Sequence, residues 1–543
     1  MKPKLLKSLL AIALILFGAS CTDYDRLEAL EDSIKNLENE ANNETAKSII
    51  LWENEVELNY QEEVKIEFRV NPSNAKFQFD SDINKSEILL DIVTKNSNSY
   101  VTNPDKYILQ NVEVLRDSLG NKLQGHYIAT IKDLGKMQPY NDNIALVIKQ
   151  KGTEEYLISS NIIKISYKQN LPIIVIITPN NTEINSKETW VSNTQIKIVN
   201  TDGSLDYFGE NDNIRGRGNT TWEYPKKPYA IKLDKKSAIL GMPKHKRWVL
   251  LANWMDRTLL RNHVAFEISR RIGLDYTPRG TFVEVILNDK KLGNYYLCEQ
   301  IKIDENRLNI TEMESTDIEG SALTGGYLLE IDDYFDEINK FRSSTKQYPV
   351  NIKEPDEDVL NSVQFDYIKN YFSQIEEILY ENKQGDIGEY IDYESFAQWF
   401  ILYELTGSYE PNNPKSCYMH KDRDEKLKAG PAWDFDWGTF TPGKYMFRIS
   451  KALYYDKLLE DKEFVRVLKE CWSKSKSELN KMDVFIRNSA TEVKESADKN
   501  FEMWPIDNDK NGDELMEYNE AIERLIDSFY NNMDVIEKCI SEL

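Results

Sequence analysis

The hydrophobic pattern of this chain changes near residue 170, and the change limits the folds open to it. From Ser48 to about Gln169 the sequence has short alternating runs such as Val64-Lys65-Ile66-Glu67-Phe68-Arg69-Val70, separated by turns rich in Asn, Ser, Pro and Gly. Alternation with a period of two is typical of half-buried strands. Turn signals at intervals of roughly 8 to 12 residues favour an antiparallel sandwich. We therefore predict an all-β sandwich over residues 49–170.

Beyond this point buried strands come first and helices later, which is typical of an α+β domain. We expect strands at 173–177 and 326–331, a hairpin of 281–287 with 295–297, and helices at 259–272, 359–380 and 393–405. A single core rarely grows to 543 residues, so the chain is predicted to be multidomain. An immunoglobulin-like sandwich precedes the α+β domain at 171–480, and a helical extension follows at 481–543.

The first residues have the pattern of a secretory signal. Lysines at 2, 4 and 7 precede an apolar run from Leu9 to Phe17, and Gly18-Ala19-Ser20 leads into Cys21. The apolar run is too short to span a bilayer. The pattern is similar to that of a Bacteroidetes-type surface lipoprotein, and simple signal cleavage remains the alternative. We predict a signal peptide at 1–21, a lipid on Cys21 that anchors the protein to a membrane, and an extracytoplasmic location at the outer membrane or cell surface.

Residues 22–48 form an acidic stretch with a short heptad-like stripe, which indicates a tether. The net charge of the whole chain is −23. Such a surface repels polyanions, so no nucleic acid partner is expected. A phosphate-binding site in this chain must gather basic residues locally or use a metal ion.

Two carboxylates lie one residue apart in Trp433-Asp434-Phe435-Asp436-Trp437-Gly438. If this segment is extended, Asp434 and Asp436 point to the same side. Two convergent carboxylates suit Mg²⁺, which commonly takes one or two of them together with phosphate oxygens. A solvated turn at the end of a strand is the alternative interpretation.

A basic, glycine-containing turn provides the complementary charge. It comprises Arg215-Gly216-Arg217-Gly218-Asn219-Thr220-Thr221-Trp222. Backbone N–H groups and flanking arginines in such a turn bind anions. Lys232 follows in an apolar strand context that would hold its ammonium at the end of a packed stem. The alternative is an ordinary hairpin with solvated lysines.

Four motifs in this order resemble the CotH family of spore-coat-type atypical kinases. They are RGRGNTTW at 215–222, PKKPYAIKL at 225–233, LGMPKHKRWVLLANWMDRTLLRN at 240–262 and GPAWDFDWG at 430–438. The resemblance covers about 173–480. It implies a reduced kinase-like fold, ATP as co-substrate with Mg²⁺ or Mn²⁺, and phosphorylation of serine on a secreted or surface protein.

The resemblance also implies roles for individual residues. Asp434 is the catalytic metal-binding carboxylate and Asp436 assists it. Lys232 pairs with the nucleotide phosphates. The loop of Arg215, Gly216, Arg217 and Gly218 covers those phosphates, and Asn412 or Asn413 is the second metal ligand.

Glu410 stands where the family has its catalytic Asp. Its additional methylene shifts the proton-accepting oxygen by about 1 Å, and such a misplacement can cost on the order of 100-fold in rate. A protein kinase is therefore the leading hypothesis. The alternative is a catalytically weak or inactive surface lipoprotein that acts as an adhesion or glycan-associated scaffold. A third reading, a glycoside hydrolase using Glu299 and Glu330, rests only on acidic residues at strand ends.

Overall fold

A computed structural model of the protein describes residues 46–58, 63–73, 75, 77, 88–96, 99–101, 107–134, 141–150, 156–167, 170–441, 446–506 and 511–543. Cys21, the predicted signal peptide and most of the predicted tether lie outside these residues. The chain divides into two compact units, one reaching Gln169 and including Asp202–Ser204, and the other formed by Asn170–Thr201 and Leu205–Leu543. We call them unit 1 and unit 2. The protein is multidomain, with a mostly β unit followed by a mixed α/β unit.

The described part of unit 1 consists of strands that form two sheets. The strands are β1 Ser48–Leu51, β2 Glu55–Leu58, β3 Glu63–Asn71, β4 Ile88–Asn96, β5 Ser99–Val101, β6 Tyr107–Arg116, β7 Lys122–Asp133, β8 Asn141–Gln150, β9 Tyr156–Ser159 and β10 Ile163–Tyr167. One sheet has the order β1-β3-β7-β6, and the other has the order β2-β10-β8-β4-β5 with β9 also paired to β8.

Alternate residues of β3 face the interior, as the period-two pattern predicts. Ile66, Phe68 and Val70 are buried, whereas Glu67 is exposed. One pairing departs from the antiparallel prediction, because β10 runs parallel to β2. These two strands come from opposite ends of the unit's sequence, so no tight turn imposes an antiparallel direction on them.

Unit 2 begins with a closed barrel of order β11-β12-β13-β14-β15-β17-β16. Its strands are β11 Ile173–Ile177, β12 Val191–Val199, β13 Leu205–Gly216, β14 Tyr229–Ile239, β15 Met242–Leu251, β16 Gly280–Leu287 and β17 Lys290–Glu299. The parallel pairing of β11 with β16 closes the barrel. The structure confirms the predicted hairpin, which turns at Asn288 and Asp289 with φ of 49° and 62°. Asn and Asp tolerate this left-handed conformation.

The barrel interior is filled by alternate strand residues. Ile231 and Leu233 on β14, Trp248 and Leu250 on β15, and Leu297 on β17 are almost fully buried in one apolar cluster. Their neighbours in sequence face the opposite side of the sheet, as strand geometry requires. The barrel is therefore packed, and any ligand site has to lie outside it.

A second sheet and a set of helices complete unit 2. The sheet has the order β19-β20-β18-β21-β22, with β18 Tyr327–Ile331, β19 Lys340–Arg342, β20 Pro349–Glu354, β21 Cys417–Lys421 and β22 Lys428–Ala429. The helices are α1 Thr220–Glu223, α2 Arg261–Ile272, α3 Gly320–Leu323, α4 Ser362–Tyr380, α5 Tyr393–Thr406, α6 Tyr455–Leu458, α7 Lys462–Leu479, α8 Met482–Met503 and α9 Tyr518–Glu542. In the described residues, no helix combines the length and the apolar character needed to cross a membrane.

The helix α5 lies at the centre of a large apolar core. The sequence pattern predicts one apolar face carrying Phe396, Trp399, Phe400 and Tyr403, but every residue from 395 to 406 is buried. A helix surrounded by other elements has no solvent face to keep polar. Helices α8 and α9, which lie in the segment predicted as an extension, pack into this same core.

Candidate active site

Unit 2 contains a cavity of about 850 Å³ at one end of the barrel. The walls come from the end of β13, the loop to β14, the residues after β15 and β17, the second sheet, and the segment that follows β22. Its charged lining residues are Lys187, Glu188, Arg215, Arg217, Lys226, Lys302, Glu330, Asp332, Asp336, Glu337, Lys353, Glu410, Lys415, Asp434 and Asp436. Basic and acidic groups thus face the same space, in a protein whose net charge is strongly negative.

The basic loop forms one wall of this cavity. Arg215, Gly216, Arg217 and Gly218 all line it. A Cβ on Gly216 would lie 2.3 Å from the Trp222 ring, so only glycine fits there. Gly218 has a φ of 83°, which favours glycine for conformational reasons. All four residues of the predicted phosphate-covering loop therefore lie at the cavity.

Aromatic rings fix both arginines. The guanidinium carbon of Arg215 lies 4.7 Å from the centroid of the Trp190 ring, and that of Arg247 lies 5.2 Å from the same ring. Arg217 lies 5.2 Å from the centroid of Trp433. Cation–π contacts of this kind orient a planar guanidinium and leave its N–H donors available to an anion.

The acidic segment forms the opposing wall. Asp434 and Asp436 both line the cavity, but the segment is not extended as predicted. Asp434 has a φ of 66° and Gly438 a φ of 67°, so the chain turns at both positions. The turn at Asp434, and not strand alternation, accompanies the placement of Asp434 and Asp436 at the same cavity.

Glu410 completes a group of three carboxylates at the cavity. It begins a 3-10 turn, Glu410–Asn412. Burial, followed by the charges of Asp434 and Asp436, raises the pKa of Glu410 to about 9. Burial and the charge of Asp434 raise the pKa of Asp436 to about 8. Burial also raises the pKa of Asp434, while Arg217 opposes this shift and Ser416 Oγ donates to Asp434 Oδ2 at 3.2 Å.

These carboxylates fit a divalent cation shared with phosphate. In the described part of the chain, Glu410, Asp434 and Asp436 take part in none of the ion pairs, although each is largely enclosed. Among all the residues that the structure describes, no group of three or more His, Cys, Asp or Glu side chains is arranged to hold a metal ion. Two carboxylates with uncompensated charge, completed by ligand oxygens, correspond to the way Mg²⁺ is usually bound.

The asparagines predicted as metal ligands are not part of this arrangement. Neither Asn412 nor Asn413 is among the described residues that line the cavity. Asn412 Nδ2 donates instead to the carbonyl oxygens of Tyr409 and Arg448, both at 3.2 Å. The turn places Glu410 at the cavity and directs Asn412 elsewhere.

Lys232 also lies outside the cavity lining, in contrast to its predicted role. Ala230 on β14 lines the cavity, and Lys232 is two residues further along the same face of the strand. It stands beside Arg247 on β15, and this neighbour lowers the pKa of Lys232. Lys232 is therefore one strand repeat beyond the cavity lining.

Several lining residues were not predicted from the sequence. Asp332 accepts hydrogen bonds from Tyr334 N at 2.7 Å and Ser416 N at 2.9 Å, and burial followed by the charge of Glu330 raises its pKa to about 6. Lys353 pairs with Glu337 and, at 3.3 Å, with Glu330. The only sequence signal for Asp332 was its place directly after a predicted strand.

The carboxylate pair needed for a glycoside hydrolase is not formed. Glu330 lines the cavity, but Glu299 is not among its described lining residues. Glu299 accepts instead from Arg279 Nη2 at 2.9 Å and from Tyr276 OH at 3.1 Å. It is part of a buried structural network.

The cavity thus combines a basic loop with buried carboxylates, and both belong to the motifs described above. The sequence model of the family described as "CotH kinase protein" matches residues 214–535, which is more than half of the chain. The chain belongs to the CotH kinase family. The match includes both walls of the cavity and also α8 and most of α9.

The other comparisons give no information about the function of this member of the CotH kinase family. No curated protein matches the chain. Matches among solved structures include the "Crystal structure of the S-layer protein SbsC domains 4 and 5", at 10% identity and a TM-score of 0.12. That match covers 23% of this chain and 53%, about half, of the other. At this TM-score it carries no argument about fold or function.

Proposed function

We propose that this protein is an extracytoplasmic atypical protein kinase that transfers the γ-phosphate of ATP to serine of a secreted or surface protein. The observation that carries the proposal is the direct approach of the basic loop to the acidic segment across the cavity, through Arg217 and Trp433. Membership of the CotH kinase family supports the same activity.

The residues of the cavity have separate roles in this proposal. The N–H groups of the basic loop, with Arg215 and Arg217, bind the nucleotide phosphates. Asp434 and Asp436 hold Mg²⁺ or Mn²⁺, which supplies charge neutralisation at the phosphate oxygens. A cation held by Asp434 and Asp436 would offset the two charges that raise the pKa of Glu410. Glu410 then accepts the proton of the serine hydroxyl as the serine oxygen bonds to the γ-phosphorus and the bond from that phosphorus to ADP breaks.

Nucleotide binding provides the first test. The full-length protein is heated with ATP and Mg²⁺, with ATP and EDTA, and with Mg²⁺ alone. ATP and Mg²⁺ at about 100 times the dissociation constant should add roughly 2.7 kcal/mol to the free energy of unfolding. Asp434→Ala should lose this gain. If the wild-type protein gains no stability with ATP and Mg²⁺, the proposed function is wrong.

Phosphate transfer provides the second test. Labelled ATP is incubated with the protein and with serine-containing surface proteins from the same cells, and phosphoserine is identified by mass spectrometry. Nucleotide binding without transfer, in the wild type and in Glu410→Asp, would instead support the scaffold function. The departure from Asp at position 410 is the observation that favours that second candidate.

The membrane anchor is part of the same proposal. The basic and apolar residues before Cys21 support lipidation at that cysteine. Cys21→Ala should move the protein from the membrane fraction to the soluble fraction and abolish incorporation of labelled fatty acid. Incorporation of fatty acid into Cys21→Ala would contradict the anchor.

A further inference from the structure

The acidic segment receives its shape from residues outside it. The chain from Gly430 to Thr441, all of it described, forms neither helix nor strand. Its backbone groups therefore need partners other than a regular ladder. Asn262 Oδ1 accepts from Phe435 N at 2.8 Å and fixes the first half of the segment.

A single asparagine near the C-terminus fixes the second half. Asn511 Oδ1 accepts from Gly438 N at 2.7 Å, and Asn511 Nδ2 donates to Asp436 O at 3.1 Å. The same Nδ2 donates to Met255 O at 3.0 Å, on another wall of the cavity. Asn511 is only 2% exposed. One amide thus ties the backbone on either side of Trp437 to the chain that follows β15.

Asn511 is itself firmly held. The Glu514 carboxylate accepts from the backbone N–H groups of Asn511, Gly512 and Asp513, at 2.6, 3.0 and 3.2 Å. The Asp513 carboxylate pairs with Arg261, which also pairs with Asp256 at 2.5 Å. The side chains of Asp256, Arg261 and Asp513 are all buried. These contacts fix the backbone that carries the side-chain amide of Asn511.

We propose that Asn511 is a positioning residue that sets the Asp436 carboxylate for cation binding, and through it the affinity of the site for Mg²⁺ with ATP. The inference rests on the proposed function and deepens it. It assigns a role to the C-terminal region, which the motifs do not reach. Asn511 is not among the described residues that line the cavity, so removing it should weaken the cation site without removing a ligand. Partners of this kind typically change metal affinity by about 10- to 100-fold.

The test uses the full-length protein with Asn511→Ala and Asn511→Gln. The matched control is Gln364→Ala, because Gln364 is also buried and its amide donates to two carbonyl oxygens, those of Glu314 and Asp317, outside the segment 430–441. Calorimetric titration of Mg²⁺ at saturating ATP gives the apparent dissociation constant. Hydrogen–deuterium exchange of the peptide containing Gly438 reports on the segment without any ligand.

Asn511→Ala should raise the dissociation constant for Mg²⁺ by about 10-fold or more and speed exchange at Gly438. Asn511→Gln keeps the amide but displaces it by one methylene. Its dissociation constant and its exchange rate should therefore lie between those of Asn511→Ala and the wild type. If Asn511→Ala does not fold, the comparison of Asn511→Gln with the wild type is the test. Gln364→Ala should leave the dissociation constant and the exchange at Gly438 unchanged. If the wild type binds Mg²⁺ with ATP and the Asn511 variants bind equally well, this inference is wrong and the proposed function stands. If the wild type binds neither Mg²⁺ nor ATP, this inference and the proposed function are both wrong.

Discussion

Arg217 and Trp433 stack on each other across the cavity, with 5.2 Å between the guanidinium carbon and the ring centroid. The next residue after Trp433 is Asp434, and Arg217 opposes the rise of its pKa. This pair connects two motifs that lie more than 200 residues apart in sequence. In the proposed function this contact would couple binding of the nucleotide phosphates to binding of the cation, because a movement of Trp433 would displace both Arg217 and Asp434.

The first prediction concerns how far the buried carboxylates of Asp434 and Asp436 lower the free energy of unfolding. Asp436→Asn should raise the free energy of unfolding without ligand by about 1–2 kcal/mol, since it removes a buried carboxyl group beside Asp434 that must either take up a proton or keep an unpaired charge on folding. The same change should abolish the gain in stability from Mg²⁺ with ATP. Thermal and urea unfolding measure both effects. The matched control is Asp513→Asn, whose carboxylate pairs with Arg261 and whose loss should destabilise the protein. If Asp436→Asn is less stable than the wild type without ligand, the idea that Asp434 and Asp436 destabilise the unliganded fold is wrong.

The second prediction concerns Glu410. Glu410→Gln should retain binding of ATP with Mg²⁺ but lose phosphate transfer, because the amide keeps the shape of the side chain and cannot accept the proton. Glu410→Asp should retain or raise the rate of transfer. Isothermal titration and incorporation of labelled phosphate separate the two effects. Transfer by Glu410→Gln at the wild-type rate would exclude Glu410 as the base.

The third prediction compares two of the three basic residues that the sequence analysis assigns to the nucleotide. Arg217→Ala should weaken ATP binding by about 10-fold or more, since charge-assisted hydrogen bonds contribute roughly 1.5–3 kcal/mol. Lys232→Ala should change it by less than about 2-fold, because Lys232 lies outside the cavity lining. Arg217→Lys retains the charge without the planar stack and should fall between them. A large loss in Lys232→Ala would restore its predicted role.

The fourth prediction is a pH dependence that comes from His263. Its ring nitrogens bond Tyr296 OH at 3.2 Å and Ser489 Oγ at 3.1 Å, and its ring packs against Phe282 and Phe485. Burial, and then the charge of Arg270, lower its pKa to about 4, while Glu267 opposes this. The unfolded chain takes up a proton near pH 6.5 and the folded chain does not, so His263 stabilises the fold fully above pH 6.5 and loses that contribution as the pH falls toward 4.

His263→Gln should therefore reduce the loss of stability between pH 6.5 and 4, by at most about 3 kcal/mol. Urea unfolding of both proteins at several pH values measures the difference. The comparison at pH 7.5 gives the cost of the lost contacts alone and serves as the internal control. Parallel pH profiles for the two proteins would show that His263 takes up its proton at the same pH in the folded and the unfolded chain, and would contradict the lowered pKa.

The sequence could predict what depends on neighbouring residues. The hairpin at Asn288 and Asp289 follows from local alternation and turn chemistry, and the structure confirms it. The roles of Asp332 and Lys353 could not be foreseen, because they meet Glu330 and Ser416 only through the order of strands in the second sheet. Asp434 was expected on an extended segment, and its positive φ depends on tertiary contacts that no local pattern contains. Lys232 was placed by family resemblance, and one strand repeat separates it from the cavity.

The closed barrel also bears on how this protein behaves among its neighbours. Because β11 pairs with both β12 and β16, every barrel strand has two partners and the barrel presents no free edge. Free edges are where foreign strands add and where aggregation begins. In the second sheet the outer strands, Lys340–Arg342 and Lys428–Ala429, are only three and two residues long. Crowding at a surface should therefore give these sheets of unit 2 little opportunity to recruit a strand from another chain.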